Sequence, residues 1–198
     1  MPFFSSQTLD SIADALVKDG YSTHYIDHTL TSILYDKAIT LTYRDASIGP
    51  LHKKKKLKTI RSDSISWLCD SLPIDKLFLD AMQEIQEGMN QRLFMGLTYY
   101  EAHYARYDKG DFYKKHLDAF KGQKNRQLTT VFYLNPVWEA QDAGELVLYN
   151  LEEKIITTIA PKAGTLAIFL SENFPHEVTP TQKRRYSIAG WFRVDKKL

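Results

Sequence analysis

The sequence predicts an α+β protein in which helices come first and an antiparallel β-sandwich follows. Apolar residues recur at helical spacing in three segments before residue 95. From Gly96 onward they alternate at period two in short runs separated by turn formers. Helices followed by many short strands, rather than alternating with them, form separate layers. The 198 residues suffice for one domain with a substantial core, and 43% hydrophobic and 13% aromatic content suits a β-rich globular chain.

Residues 5–19 read as an amphipathic helix, capped by Ser5 or Ser6, with Leu9, Ile12, Ala13 and Leu16 as its stripe and Gly20 as its end. A second helix covers 28–36, with Asp27 as cap and Leu30, Ile33 and Leu34 on one side. Both are packing elements that back a sheet. Residues 44–61 differ: turn formers run from Arg44 to Pro50, and Lys53 to Lys56 are four like charges that repel one another. A solvated surface loop, a phosphate-binding or nuclear-address patch, and a lid over substrate all fit that composition.

Ile60 to Leu68 alternates as a strand running from a rim into a core, with Arg61, Asp63, Ile65 and Trp67 on one face. Pro73 opens a long helix to about Gln91, with Leu77, Ala81, Met82, Ile85 and Met89 as its stripe. Further strands are predicted at 97–107, 112–118, 125–135, 144–149, 155–159, 165–170 and 185–194, with turns at Asp108–Asp111 and Pro161–Gly164. Their number and spacing suit a double-sheet jelly roll. The expectation is one domain over 1–198, with helical support in 1–95 and the jelly-roll core in about 96–194.

The formal charge of +2 makes no demand for nucleic acid or an anionic membrane. One cysteine, Cys69, excludes an intramolecular disulfide and a cysteine-based zinc site, and fits a reducing compartment. No signal peptide or membrane span is read, so the expected location is cytoplasmic.

The chemistry gathers at His116-x-Asp118, read together with His176. Residues i and i+2 of an extended chain share a face. Two imidazoles and one carboxylate occupy one face of an octahedral ion and leave the other open, the arrangement of non-haem Fe(II) oxygenases. Taken alone, His116 and Asp118 read equally as polar residues at a strand end, and His176 as a core-edge histidine. Arg185 starts a strand whose alternation puts Ser187, Ala189 and Trp191 on its face, with no acid among them. A bound carboxylate would partner its guanidinium, as would a structural acid placed from elsewhere. Arg184 faces the other way. His24, His28, His52 and His103 lack metal-ligand spacing and are left out.

These residues, with Ile60-Arg61-Ser62-Asp63, Trp67, Tyr107, Tyr113-x-x-His116, Phe132-Tyr133-Leu134-Asn135, Trp138, Gly144-Glu145-Leu146 and His176-Glu177-Val178, resemble the 2-oxoglutarate- and Fe(II)-dependent dioxygenases of the prolyl 4-hydroxylase type. They are most similar to the hypoxia-inducible-factor prolyl hydroxylases and their bacterial relatives. The resemblance spans about Ile60 to Phe192. It implies a double-stranded β-helix, iron on His116, Asp118 and His176, and the 2-oxoglutarate C5 carboxylate on Arg185 with the Tyr133 hydroxyl. It places Tyr107 near the co-substrate's metal-binding end and makes Trp191 a pocket wall. Arg61, Asp63, Arg126 and Tyr113 belong to the substrate groove, with an Asp63–Arg126 salt bridge, and residues 49–58 become the lid. Two departures are Ala189, where a hydroxyl is usual, and Ala143, where a second glycine is.

The implied cofactors are Fe(II), 2-oxoglutarate and O2, with ascorbate as reductant. The implied partner is a protein carrying a target proline, hydroxylated at C4. By analogy with bacterial relatives that protein is a translation factor such as elongation factor Tu. Two other readings stand beside this one. The same chemistry could act on a free amino acid or a nucleobase, although the lysine run lacks the interleaved aromatics of a nucleic-acid groove. A non-catalytic jelly-roll module is the third.

Overall fold

The computed structural model describes residues 2–46, 59–119 and 125–194. The lysine run and the 49–58 lid fall outside the described residues. Three helices, α1 (Ser6–Lys18), α2 (His28–Ala38) and α3 (Pro73–Leu93), pack on one face of a seven-stranded antiparallel sheet. Its order is β1 (Tyr21–Tyr25), β9 (Thr165–Leu170), β6 (Arg126–Tyr133), β11 (Arg185–Arg193), β4 (Tyr99–Tyr107), β3 (Ser64–Trp67) and β2 (Arg44–Asp45). The second sheet runs β5 (Tyr113–His116), β10 (His176–Val178), β7 (Leu146–Tyr149) and β8 (Ile155–Ile159). Two facing antiparallel sheets with helices behind the larger one are the expected jelly roll.

Period-two alternation builds two cores from one sheet. On β6, Leu128 and Phe132 face the helices and join Ile12, Leu34, Phe78, Met82, Ile85 and Met89. Val131 and Tyr133 face the small sheet and meet Leu146, Leu148, Ile159, Phe169 and Phe174. Helix α1 starts as read, with the Ser5 hydroxyl accepting from the Thr8 amide, and Asp27 caps α2 at Thr29. A buried Asp75 carboxylate ties α3 to its surroundings by accepting from Lys37 Nζ at 2.6 Å, Tyr104 Oη at 2.8 Å and the Cys69 amide at 3.0 Å.

Several expectations need correction. Residues 21–25 form an edge strand that the pattern did not announce, because an edge strand of five residues with two exposed carries little alternation. Leu77 is 42% exposed and leaves the predicted stripe of α3. The strand read over 60–68 is regular only at 64–67; Arg61 bridges to Tyr113 instead, so residues 60–62 cross from the large sheet to the small one. Strands β1, β2 and β3 come from before residue 95, so the large sheet is shared between the two predicted parts. Among the described residues, no helix is long and apolar enough to cross a membrane.

Candidate active site

The strand order makes β5 and β10 antiparallel neighbours with His116 directly opposite His176. Asp118 follows β5 in a bend rather than on the strand itself. His116 Nε2 lies 3.6 Å from Asp118 Oδ1, and His176 Nε2 lies 3.4 Å from Asp118 Oδ2. One donor atom from each residue falls within 4.8 Å of the others. The backbone sets both imidazoles: His116 Nδ1 donates to the Lys114 carbonyl at 2.8 Å and His176 Nδ1 to the Phe174 carbonyl at 2.9 Å. Each Nε2 lone pair is thereby aimed inward. Thr129 Oγ1 donates to Asp118 Oδ2 at 2.8 Å and orients the carboxylate.

Electrostatics agree with the geometry. Burial raises the Asp118 carboxyl, but the His176 and His116 rings outweigh it and hold the group well below the usual carboxylate range. Burial pulls His116 down to about 3, helped by His176. Burial also opposes charge on His176, yet the Asp118 carboxylate prevails and its pKa is raised. Two inward Nε2 atoms and a buried carboxylate form a donor set that suits a divalent cation with an open face, the cation taking the place of the proton that Asp118 favours on His176.

Arg185, 1% exposed, lies in the same cavity, whose volume is about 740 Å³. Its Nη1 donates to Ser187 Oγ at 3.2 Å, while Nε and Nη2 have no partner among the described residues. The guanidinium carbon is 4.8 Å from the Tyr107 ring and 5.0 Å from the Tyr133 ring. The Tyr133 hydroxyl, near Arg185 but outside hydrogen-bond geometry, is also buried and unpartnered. A dehydrated cation with two idle N–H edges beside an idle hydroxyl is a socket for an anionic oxygen. Gly144 makes room for it: a Cβ there would lie 3.3 Å from Arg185 Cδ and 2.9 Å from Thr181 Oγ1.

Trp191 and Tyr113 also line the cavity, as do Arg61 and Arg126. The Trp191 indole N–H, toward Asp118 but outside hydrogen-bond geometry, is unpaired. The expected Asp63–Arg126 salt bridge is absent. Asp63 pairs instead with Arg61, two residues away, through Nε–Oδ1 at 2.7 Å and Nη2–Oδ2 at 2.5 Å. Arg126 donates to Glu101 at 3.1 Å and lies 3.8 Å over the Trp191 ring. Glu101 is opposite Trp191 across β4 and β11, and Arg126 contacts both side chains.

His103 is the residue that sequence reasoning passed over. It is buried in the cavity wall, 5.1 Å from the Trp67 ring and 5.4 Å from the Trp191 ring. Counting back by twos from Tyr107 puts it inside, a placement that metal-ligand spacing alone does not reveal. Burial pulls its pKa from 6.5 down to about 3. Between those values the unfolded chain binds a proton that the folded chain does not. Stability present above pH 6.5 is therefore lost as pH falls, by up to about 1.4 kcal/mol per pH unit. His103→Phe should flatten that slope by up to one proton, as measured by urea melts between neutral and acid pH.

Residues 102–193 match the family model described as the 2OG-Fe(II) oxygenase superfamily. A Pseudomonas putida prolyl-4-hydroxylase structure superposes with a TM-score of 0.85 at 32% identity, covering 95% of this chain and 100% of that one. A Trichoplax adhaerens prolyl hydroxylase, solved with a hypoxia-inducible-factor peptide fragment, superposes with a TM-score of 0.83 at 24% identity over 95% of this chain and 90% of that one, a likeness of fold. Human Egl nine homolog 1 is 31% identical over 153 residues, 71% of this chain but 34% of that protein, so the match spans about a third of its length. On the full-length 32% identity and the family match together, the chain belongs to the 2OG-Fe(II) oxygenase superfamily, in the group that contains the prolyl 4-hydroxylases.

Proposed function

We propose that the chain is a 2-oxoglutarate- and Fe(II)-dependent dioxygenase that hydroxylates a prolyl residue of a protein at C4. One observation carries the co-substrate assignment: a buried, half-unpartnered Arg185 shares a cavity with the His116, Asp118 and His176 donor set. That pairing of an anion socket with a metal triad fits a small diacid whose two ends need different partners. His116, Asp118 and His176 would hold the iron. Arg185 and the Tyr133 hydroxyl would take the far carboxylate; Tyr107, expected at the metal-binding end of the diacid, has its ring 4.8 Å from the Arg185 guanidinium carbon and would flank the far end instead.

When bound, Fe(II) with 2-oxoglutarate and O2 supplies oxidative decarboxylation to succinate and CO2 and the insertion of one oxygen atom into a C–H bond. The protein's part is positional. Lys114 and Phe174 carbonyls hold the imidazole tautomers, Thr129 holds the carboxylate, and Arg185 orients the diacid. Trp191 walls the pocket and keeps water from it. Arg61, Asp63, Tyr113 and Arg126 form the groove for the peptide. The prolyl substrate is supported by the full-length similarity to the Pseudomonas putida prolyl-4-hydroxylase. The Trichoplax adhaerens protein, solved in complex with a peptide fragment, is a precedent for a protein segment as the ligand of this fold. Elongation factor Tu is the first protein to test. The cytoplasm suits both a lone Cys69 and Fe(II). The single-domain assignment over 1–198 is part of the same reading.

The test is incubation with Fe(II), 2-oxoglutarate and ascorbate against elongation factor Tu and a panel of proline-containing peptides. The expected result is a mass gain of one oxygen atom on a proline, matched by succinate, with 4-hydroxyproline found on hydrolysis. Oxygen gain only on a free amino acid or a methylated nucleobase would replace the prolyl assignment. Succinate release with no substrate in the panel, or none at all with metal bound, would count against it.

A further inference from the structure

The groove wall is built into the metal triad. We infer that Tyr113 and Arg61 are positioning residues for the His116 imidazole, so that the groove sets how tightly the triad holds a divalent cation. This rests on the reading of His116, Asp118 and His176 as metal ligands.

His116 is the triad member most in need of support. It ends β5, the outer strand of the small sheet, and its side chain is the most exposed of the three at 18%. On a regular strand, Tyr113 and His116 would point to opposite faces, because they are three residues apart. A register irregularity removes that difference. His116 pairs with His176 and Tyr113 with Val178, so three steps on β5 match two on β10. The two rings thereby stack, with centroids 3.5 Å apart and planes at 16°. Beyond His116 lies the His176 ring, 4.3 Å away and tilted by 55°. The imidazole is confined between two rings while Lys114 holds its outer nitrogen.

Tyr113 is itself held on its other side. The Arg61 guanidinium carbon lies 4.3 Å from the ring, and Asp63 grips that guanidinium with two hydrogen bonds. The segment carrying Arg61 is laced to β5 by the Lys114 amide donating to the Ile60 carbonyl at 2.8 Å, the Ser62 amide to the Phe112 carbonyl at 3.0 Å and the Phe112 amide to Ser62 Oγ at 3.1 Å. It gives the outer strand a neighbour on its open side. Asp63 also balances the Arg61 charge, so the guanidinium can serve as a lid on Tyr113 without repelling a cation nearby. A ligand ring fixed in advance loses less freedom when metal arrives. Partners outside the ligand shell commonly change metal affinity 10- to 100-fold, roughly.

The experiment titrates the full chain with Co(II) alone and reads the visible absorption band, whose intensity and position report coordination. Tyr113→Phe keeps the stack and should bind as the parent does. Tyr113→Leu should bind about ten-fold more weakly with an altered band. The double variant Arg61→Met with Asp63→Asn, neutral like the parent pair, should weaken binding several-fold without touching β5. It carries the test alone if Tyr113→Leu does not fold. A purely structural role would lower the melting temperature but leave the Co(II) band and affinity of the folded protein unchanged, and that result would overturn the inference. His116→Ala separates the two claims. If it loses Co(II) while the Tyr113 and Arg61 variants do not, only the positioning role falls. If it binds Co(II) like the parent, the triad assignment falls with it.

Discussion

Arg185→Met is expected to bind 2-oxoglutarate at least about 30-fold more weakly, and up to about 5000-fold, because truncating one partner of a buried, hydrogen-bonded charge pair costs roughly 2–5 kcal/mol. The same change should make the ligand-free protein no less stable. A guanidinium with two unpartnered, dehydrated N–H edges is a liability until an anion arrives, and an apolar chain of similar length relieves it. The two effects have opposite sign, which separates an anion socket from a structural ion pair. Calorimetric titration of the Mn(II)-loaded protein with 2-oxoglutarate measures the first, and thermal melts with and without the diacid measure the second. A parent protein that gains no melting temperature from the diacid, or a variant that gains as much, would remove Arg185 from the site.

His176→Ala should lose divalent-metal binding by at least about 100-fold, the upper end of what outer-shell changes cause, and turnover with it. His176 is buried between β5 and β7 and directly opposite His116, so no other described side chain is placed to replace it. Deleting it also leaves Asp118 without the ring that most lowers its carboxyl pKa, so that pKa should rise toward the usual range or beyond. Co(II) titration and the pH dependence of residual binding read both effects. Unaltered metal affinity in a folded His176→Ala protein would exclude the ligand role.

The triad was legible because chemistry narrows residue choice. Few patterns place an imidazole and a carboxylate two apart and leave a second imidazole before an arginine-led strand. Arg185 was legible for a related reason, since alternation on β11 showed no acid on its face. Pairing among charges was not legible. Asp63 had two arginines to choose from, and its neighbour at 61 won because an extended backbone already carries both side chains to one side. Arg126 found Glu101 through a strand register that no local pattern contains. The edge strand β1 carries too little alternation to announce itself, and His103 has a place in the cavity wall that ligand spacing does not reveal. Asp118 is also further from regular strand than the two-residue spacing suggested; it reaches the triad from a bend.

The two-faced strand β6 has a consequence for how this chain can vary. Leu128, Thr130 and Phe132 look toward the helices, while Thr129, Val131 and Tyr133 look toward the cavity. Inserting or deleting a single residue there would transpose the two sets. The apolar wedge would lose its phenylalanine in the same event that cost the carboxylate its hydroxyl support and the arginine its tyrosine. A change in length should be tolerated instead at places such as the exposed hairpin tip at Leu151 to Lys154, whose side chains belong to neither set.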